Sequence, residues 1–210
     1  MLQDFPTPTL RQAKRCVLQT ERLVLRRPTL ADVKAISRLA DDRRIAENTR
    51  RLPHPYLQDH AVEFVRGIAS DKRETVFLIE NNHTPIGMVG VDWREPETPE
   101  LGYWLGVEYW GQGFATEAAR AVIDFTFEEF DVEQLISGAR VANPASRNIL
   151  EKCGFQWTGV ALHRIRAISS SAPLDRFRLE RGIWASLKAW GATRRAEPVK
   201  ANKARKSLPT

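Results

Sequence analysis

The stretch from residue 100 to residue 117, ELGYWLGVEYWGQGFATE, constrains this chain more than any other. A strand-like run over 100–107 leads into a short turn, Gly111-Gln112-Gly113, and then into a helix-like run. Gly111 and Gly113 carry no side chain to hold a phosphate away, and they permit dihedrals that other residues avoid. The free amides at a helix N-terminus, helped by the helix dipole, favour an anion there. The backbone from Gly111 to Thr116 is therefore a candidate diphosphate cradle, with the Thr116 hydroxyl as a further donor. The same glycines would also serve a tight strand-to-helix turn that binds nothing. No Gly-Lys-Ser/Thr follows, which excludes a Walker loop, and the three-glycine spacing of a dinucleotide fold is missing.

The chain is long enough, at 210 residues, for one domain with a full core. Its 42% hydrophobic and 28% charged residues are ordinary for a soluble globular protein. No apolar run approaches membrane-spanning length, and Asp4 and Pro6 stand where a signal peptide would be apolar. Two cysteines, Cys16 and Cys153, suggest neither a disulfide framework nor a metal cluster, and a cytoplasmic location is the natural expectation. The four histidines lack metal-ligand spacing. The net charge of +6 hints at nucleic acid, but residues 191–210 hold six basic groups against Glu197 alone, so the rest of the chain is nearly neutral. That tail reads as a solvated, disordered end with at most non-specific ribosome or RNA contact.

Residues 1–19, with Pro6 and Pro8, read as an extension before a domain spanning 20–190, followed by the basic tail 191–210. Alternation predicts strands over 20–27, 75–80 and 85–93, the last two joined by the turn Asn81-Asn82-His83. Helical spacing predicts helices over 30–40, with Thr29 as cap, and over 60–70. Beyond the strand at 100–107 come a helix over 114–130, a strand over 134–141, a helix over 145–152 ended by Gly154, and strands over 155–164 and 177–181. The order βααβββαβαββ is an α+β, or mixed α/β, plan.

A second motif, NPASRNILEKCGF from Asn143 to Phe155, places Asn143 at a strand end and Ser146 one turn into the next helix. Together with YWGQGFATEA, the opening TERLVLR, the strand ELGYWL and the closing DRFRL, it resembles the GCN5-related N-acetyltransferase (GNAT) superfamily, in its Rim-type branch that acetylates ribosomal-protein N-termini and other amines. The resemblance covers residues 20–184. It implies a mixed, mostly antiparallel sheet with a splayed parallel strand pair, flanked by helices, and acetyl-coenzyme A as cofactor.

On that resemblance the diphosphate sits on Trp110, Gly111, Gln112, Gly113, Phe114, Ala115 and Thr116. The pantetheine arm lies between the strands at 100–107 and 134–141, pairing with the backbone of Leu105 and Val107, and Gly106 would mark a bulge that frees those groups. Asn143 would bond the pantetheine amide, Asn148 would also reach the cofactor, and Arg147 or Lys152 would approach the adenosine phosphate. Trp110 stands where many relatives carry Arg or Gln, a small loss because backbone amides do most of the binding.

The resemblance further implies direct transfer to a primary amine, from a protein N-terminus or a small molecule. A protonated amine must first lose a proton to a base. Glu100 is the first candidate, because partial burial of its carboxylate would suit it to that role near neutral pH; a solvated strand-end charge is the plainer reading, and Asp92 is the alternative base. Val107 N–H is the expected donor to the developing oxyanion. Many relatives place a Tyr acid four residues after the position of Ser146; Leu150 stands there, which makes Ser146 the candidate acid for the leaving thiolate. Trp93, Tyr103 and Trp104 read as core or sheet-face aromatics, Cys153 as a small buried residue, and the pairs Arg43-Arg44 and Arg50-Arg51 as surface charge near the acceptor region. Two competing functions are a non-catalytic CoA-binding module and an RNA- or ribosome-associated protein acting through its tail. A monomer or a homodimer is expected.

Overall fold

Eight strands join into one sheet in the computed structural model, which describes residues 17–70, 73–95 and 97–196. In chain order the elements are β1 (Leu18–Gln19), β2 (Leu23–Arg26), α1 (Val33–Ala40), α2 (Arg43–Ala46), α3 (Gln58–Ser70), β3 (Glu74–Asn81), β4 (Thr84–Asp92), β5 (Glu100–Leu105), α4 (Phe114–Glu129), β6 (Gln134–Arg140), α5 (Pro144–Lys152), β7 (Gln156–Ile165), β8 (Ser170–Glu180) and α6 (Arg181–Ala196). The strand order is β1-β2-β3-β4-β5-β6-β8-β7, with every neighbour antiparallel except β5 and β6. This is the mixed α+β plan that the element order implied.

Alternation along the strands builds a core on each face of the sheet. On one face Phe77, Ile79, Val89, Leu101 and Leu105 meet the apolar stripe of α4, Phe114, Ala118, Val122 and Phe125, which recurs at helical spacing. On the other, Leu78 and Met88 meet Ile36 and Ala40 of α1 and Ala61 and Val65 of α3. Helix α6 closes the first face, with Trp184 stacked on Phe127 at 5.0 Å and its indole N–H on Asp124 at 2.7 Å.

The parallel contact decides where a ligand can enter. β5 and β6 share one register pair, Glu100 with Ile136, and Ile136 N–H donates to the Pro99 carbonyl at 2.9 Å. One residue on, the Ser137 hydroxyl donates to the Leu101 carbonyl at 2.9 Å, so a side chain takes over from the main-chain ladder. Beyond that point β5 pairs with β4 alone and β6 with β8 alone, which is the splay expected between these strands.

Several boundaries differ from expectation. Residues 18–19, expected in the extension, pair with Val24 and Leu25 as β1; residues 1–16 lie outside the described residues. β5 ends at Leu105 rather than at residue 107, because Val107–Tyr109 forms a 3-10 turn. Gly106 is not a bulge: its φ is −54°, its N–H bonds the Ile86 carbonyl at 2.9 Å, and a Cβ there would meet Leu39 at 2.6 Å. Close packing against α1, not freed backbone, explains that glycine. β8 begins at Ser170, seven residues before the expected strand, because pairing with β7 carries the polar run through Pro173 into the sheet. α2 and α6 lacked a clear periodic signal, and α6 continues past the expected boundary at residue 190. The rest of the basic tail, 197–210, lies outside the described residues. Among the described residues, no helix is long and apolar enough to cross a membrane.

Candidate active site

The Gly-rich turn opens α4 as its composition demanded. Gly111 and Gly113 have φ of 74° and 81°, the left-handed region where a Cβ is strained, and Gly113 is the residue that caps α4. The first bond of the helix runs from Glu117 N–H to the Gly113 carbonyl at 3.1 Å, so the N–H groups of Phe114, Ala115 and Thr116 have no acceptor within it. Trp110 does not line up as a further amide alone. Its indole N–H donates to the Leu105 carbonyl at 2.9 Å, which ties the turn to the end of β5 and occupies a carbonyl expected to pair with the cofactor. The Gln112 side chain reaches back to the Glu108 carbonyl at 3.0 Å.

Arg22 and Glu117, which sequence reasoning did not connect, clamp this loop from β2. The Arg22 guanidinium donates to Glu117 Oε2 at 2.7 Å and to the Gln112 carbonyl at 3.0 Å, and lies 4.6 Å from the Phe114 ring centroid. Glu117 also accepts from the Arg22 main-chain N–H at 2.9 Å and from the Thr20 hydroxyl at 2.6 Å. Burial would raise the Glu117 carboxyl, but these hydrogen bonds and the Arg22 charge hold it below the usual carboxylate range.

At the open side of the splay, Asn143 caps α5: its Oδ1 accepts from Ser146 N–H at 3.1 Å, leaving its amide NH2 as the donor for a ligand. Ser146 is not merely a helix-start hydroxyl. Its Oγ lies 3.0 Å from the Tyr103 hydroxyl, whose one proton can go to Oγ or to the Ser146 carbonyl at 3.1 Å. Burial pushes the Tyr103 phenol well above its ordinary value, so it holds its proton. Tyr103 read as an ordinary sheet aromatic; alternation along β5, which puts it on the face of Leu101 and Leu105, was the available signal. Asn148 is exposed on α5, Arg147 pairs with Glu151, and Lys152 is exposed. Cys153 is buried and its thiol is pushed up to about 11 by burial, so it is no nucleophile.

Glu100 points to the other face of β5, with Gly102 and Trp104. Register sets Glu74 of β3, Asp92 of β4 and Glu100 of β5 side by side. Three like charges abreast repel, and three guanidiniums answer them. Arg50 pairs with Glu100, while Arg51 and Arg94 each pair with both Glu74 and Asp92. The Arg50-Arg51 pair is thus part of the site rather than loose surface charge. Glu100 is ion-paired with Arg50, which the sequence did not suggest, yet only its Oε2 is engaged, and Oε1 accepts no hydrogen bond from a described residue. Asp92 is the poorer candidate, with Oδ1 taken by Arg94 N–H at 3.0 Å and Oδ2 by its guanidinium at 3.0 Å. Trp93 is core: it packs on Phe130 and donates to Thr75 at 3.1 Å.

One cleft of about 460 Å³ is lined by Glu100, Tyr103, Ser137 and Ser146, so the candidate base, the candidate acid and the splay open into a single space. A larger open hollow of about 1440 Å³ runs along α4 from Gly113 and Thr116 to Glu128, but contains neither Glu100 nor Ser146. The smaller cleft is therefore the candidate active site. A loop with unpartnered helix-start amides, a gap between parallel strands and a free amide on Asn143 fit an acyl-coenzyme A.

The comparisons agree with this geometry. Residues 22–156 match the acetyltransferase (GNAT) domain family. An uncharacterized N-acetyltransferase, p20, from Bacillus licheniformis is 25% identical over 149 residues, covering 68% of this chain and 84% of that protein. The ribosomal-protein-serine acetyltransferase of Escherichia coli is 29% identical over 111 residues, covering 52% of this chain and 57% of its own length. In fold, the chain resembles spermidine N-acetyltransferase from Vibrio cholerae, solved with CoA and spermine, at a TM-score of 0.68 and 21% identity over 79% of this chain and 99% of that one. This chain belongs to the GNAT family of acetyltransferases, and it is an acyltransferase that uses acetyl-coenzyme A.

Proposed function

We propose that the chain is an N-acetyltransferase that moves the acetyl group directly to a primary amine, either a protein N-terminal α-amine or a small-molecule amine. The observation that carries this reading is the continuity of the cleft from Ser146, at the splay, to Glu100, on the far face of β5. Acetyl-coenzyme A, when bound, supplies an acetyl group activated as a thioester. The N–H groups of Gly111 to Thr116 bind its diphosphate, and the Asn143 amide, Asn148 and the Val107 backbone orient the arm.

Glu100 takes the proton of the incoming ammonium at Oε1, directly or through water, while Arg50 holds Oε2 and keeps the carboxylate aimed. Val107 N–H has no partner within its own 3-10 turn and donates to the oxyanion. Ser146 Oγ–H would donate to the leaving sulfur, with the Tyr103 O–H turned to Ser146 Oγ to set its rotamer. The 29% identity to the ribosomal-protein-serine acetyltransferase supports a protein as one acceptor class. A CoA-release screen of the purified chain against amines and N-terminal peptides tests the reading. Tight acetyl-coenzyme A binding with no release toward any amine would reject it.

A further inference from the structure

Register lays out the acceptor side of the cleft in three rows. Below the Glu74–Asp92–Glu100 row come Val76, Gly90 and Gly102, and then Leu78, Met88 and Trp104. The middle row has side-chain bulk only at Val76, with glycine on the other two strands. The third row is apolar, and Phe64 of α3, half-buried, adds an apolar wall. The charges facing the cleft balance: Arg50, Arg51, Arg94 and Arg166 against Glu63, Glu74, Asp92 and Glu100. A site with no excess of carboxylate gives a polycation no net field to enter.

Tyr56, just ahead of α3, supplies the remaining polar contact. The residue is 5% exposed, lines the cleft and packs its ring edge-on to His60 at 5.5 Å, yet its hydroxyl bonds to no described residue. That hydroxyl is not sealed from solvent: it opens on the cleft, where a ligand can take the place of water. Burial pushes the phenol up to about 12, so it remains a neutral O–H, while the charges of Arg166 and Glu63 act on it in opposite senses.

We propose that the acceptor is a monoamine on an apolar, amino-acid-sized body, and that the Tyr56 hydroxyl hydrogen-bonds a carbonyl or amide next to the amine. This proposal rests on the amine-acetylation reading above and narrows it. The chemistry is shared by a free amino-acid amide and by a peptide beginning with an apolar residue, and the two differ only in what lies beyond the first carbonyl.

The test is CoA release by the full chain with phenylalaninamide, serinamide, hexapeptides beginning with Phe or Ser, and spermidine. The Phe compounds should exceed spermidine and the Ser compounds by about tenfold or more in kcat/KM, since one apolar group in a fitted pocket changes kcat/KM by about 10- to 200-fold. The peptide and amide arms separate the two sources. Tyr56→Phe should raise the acceptor KM by about 3- to 10-fold, as expected for one lost hydrogen bond, with kcat and the acetyl-coenzyme A KM unchanged. A merely structural role would not produce that split. Equal or better turnover of spermidine or the Ser compounds, or an unchanged acceptor KM in Tyr56→Phe, overturns this proposal alone. No CoA release with any of these amines, despite tight acetyl-coenzyme A binding, overturns the acetylation reading and this proposal with it.

Discussion

The two ends of β5 present different atoms to the ligands proposed for them. At its C-terminal end the loop over residues 107–116 offers main-chain N–H groups, and side-chain identity matters mainly where φ is positive, at Gly111 and Gly113. At its N-terminal end the acceptor wall is all side chains: three carboxylates, their guanidinium partners, and an apolar floor under α3. A backbone site tolerates drift in sequence because every residue carries the same amide. A side-chain site changes with each substitution, so one fold can keep its donor and vary its acceptor. Substitutions at one end should therefore leave the other end's ligand untouched, and that separation can be attacked directly.

The largest effect is expected at Glu100. Glu100→Gln should lower kcat about 100-fold or more, as removal of a general base does, with acetyl-coenzyme A affinity by calorimetry unchanged. A parallel loss of donor affinity would break the division between the two ends. Next, Gly113→Ala forces a side chain into a φ of 81°, with its Cβ 3.4 Å from the Arg22 guanidinium. The strain of about 1–2 kcal/mol predicts roughly tenfold weaker donor binding, with the acceptor KM unmoved. Tyr103→Phe probes the join between them. Freeing the Ser146 rotamer should lower kcat by about fivefold, the worth of about one hydrogen bond, and shift no binding constant.

The smallest effect concerns stability. Glu117 and Asp32 both titrate below the usual carboxylate range: Glu117 through the hydrogen bonds already described, which outweigh its burial, and Asp32 through its Arg26 pair, which outweighs burial, with Thr29 adding to it. A carboxyl lowered in the folded state stabilises the fold above its unfolded pKa, and that contribution disappears as pH falls through the folded value. Tm should therefore drop as the solution is taken below the normal carboxylate range. Glu117→Gln should flatten that acid limb and cost about 1 kcal/mol at neutral pH, discounted because Arg22 is 43% exposed. An acid limb identical to wild type would show that the clamp on the loop contributes nothing.

Legibility followed the same division. The strand–glycine–helix unit was readable because positive φ and bare amides select glycine locally. The helix over 145–152 was readable too, but Asn143 read as a strand end, and its role as the cap of α5 came only with the structure. Arg50 was not readable as Glu100's partner: fifty residues separate them, and an arginine pair in a loop looks the same whether it is solvated or paired. Trp110 looked like a loop residue at the cradle, and only folding brought its indole back to Leu105. The helix α6 was hidden because its apolar face matches α4 rather than any strict period of its own.

The amino-acid order alone determined the kind of elements, the family and the cradle, because dihedral preference and periodicity act between near neighbours. Which carboxylate meets which guanidinium, where β5 and β6 part, and that Tyr103 leans on Ser146 were decided only by tertiary packing. Those contacts depend on strand register and on a single side chain, Ser137, taking the Leu101 carbonyl where a main-chain bond would have closed the cleft.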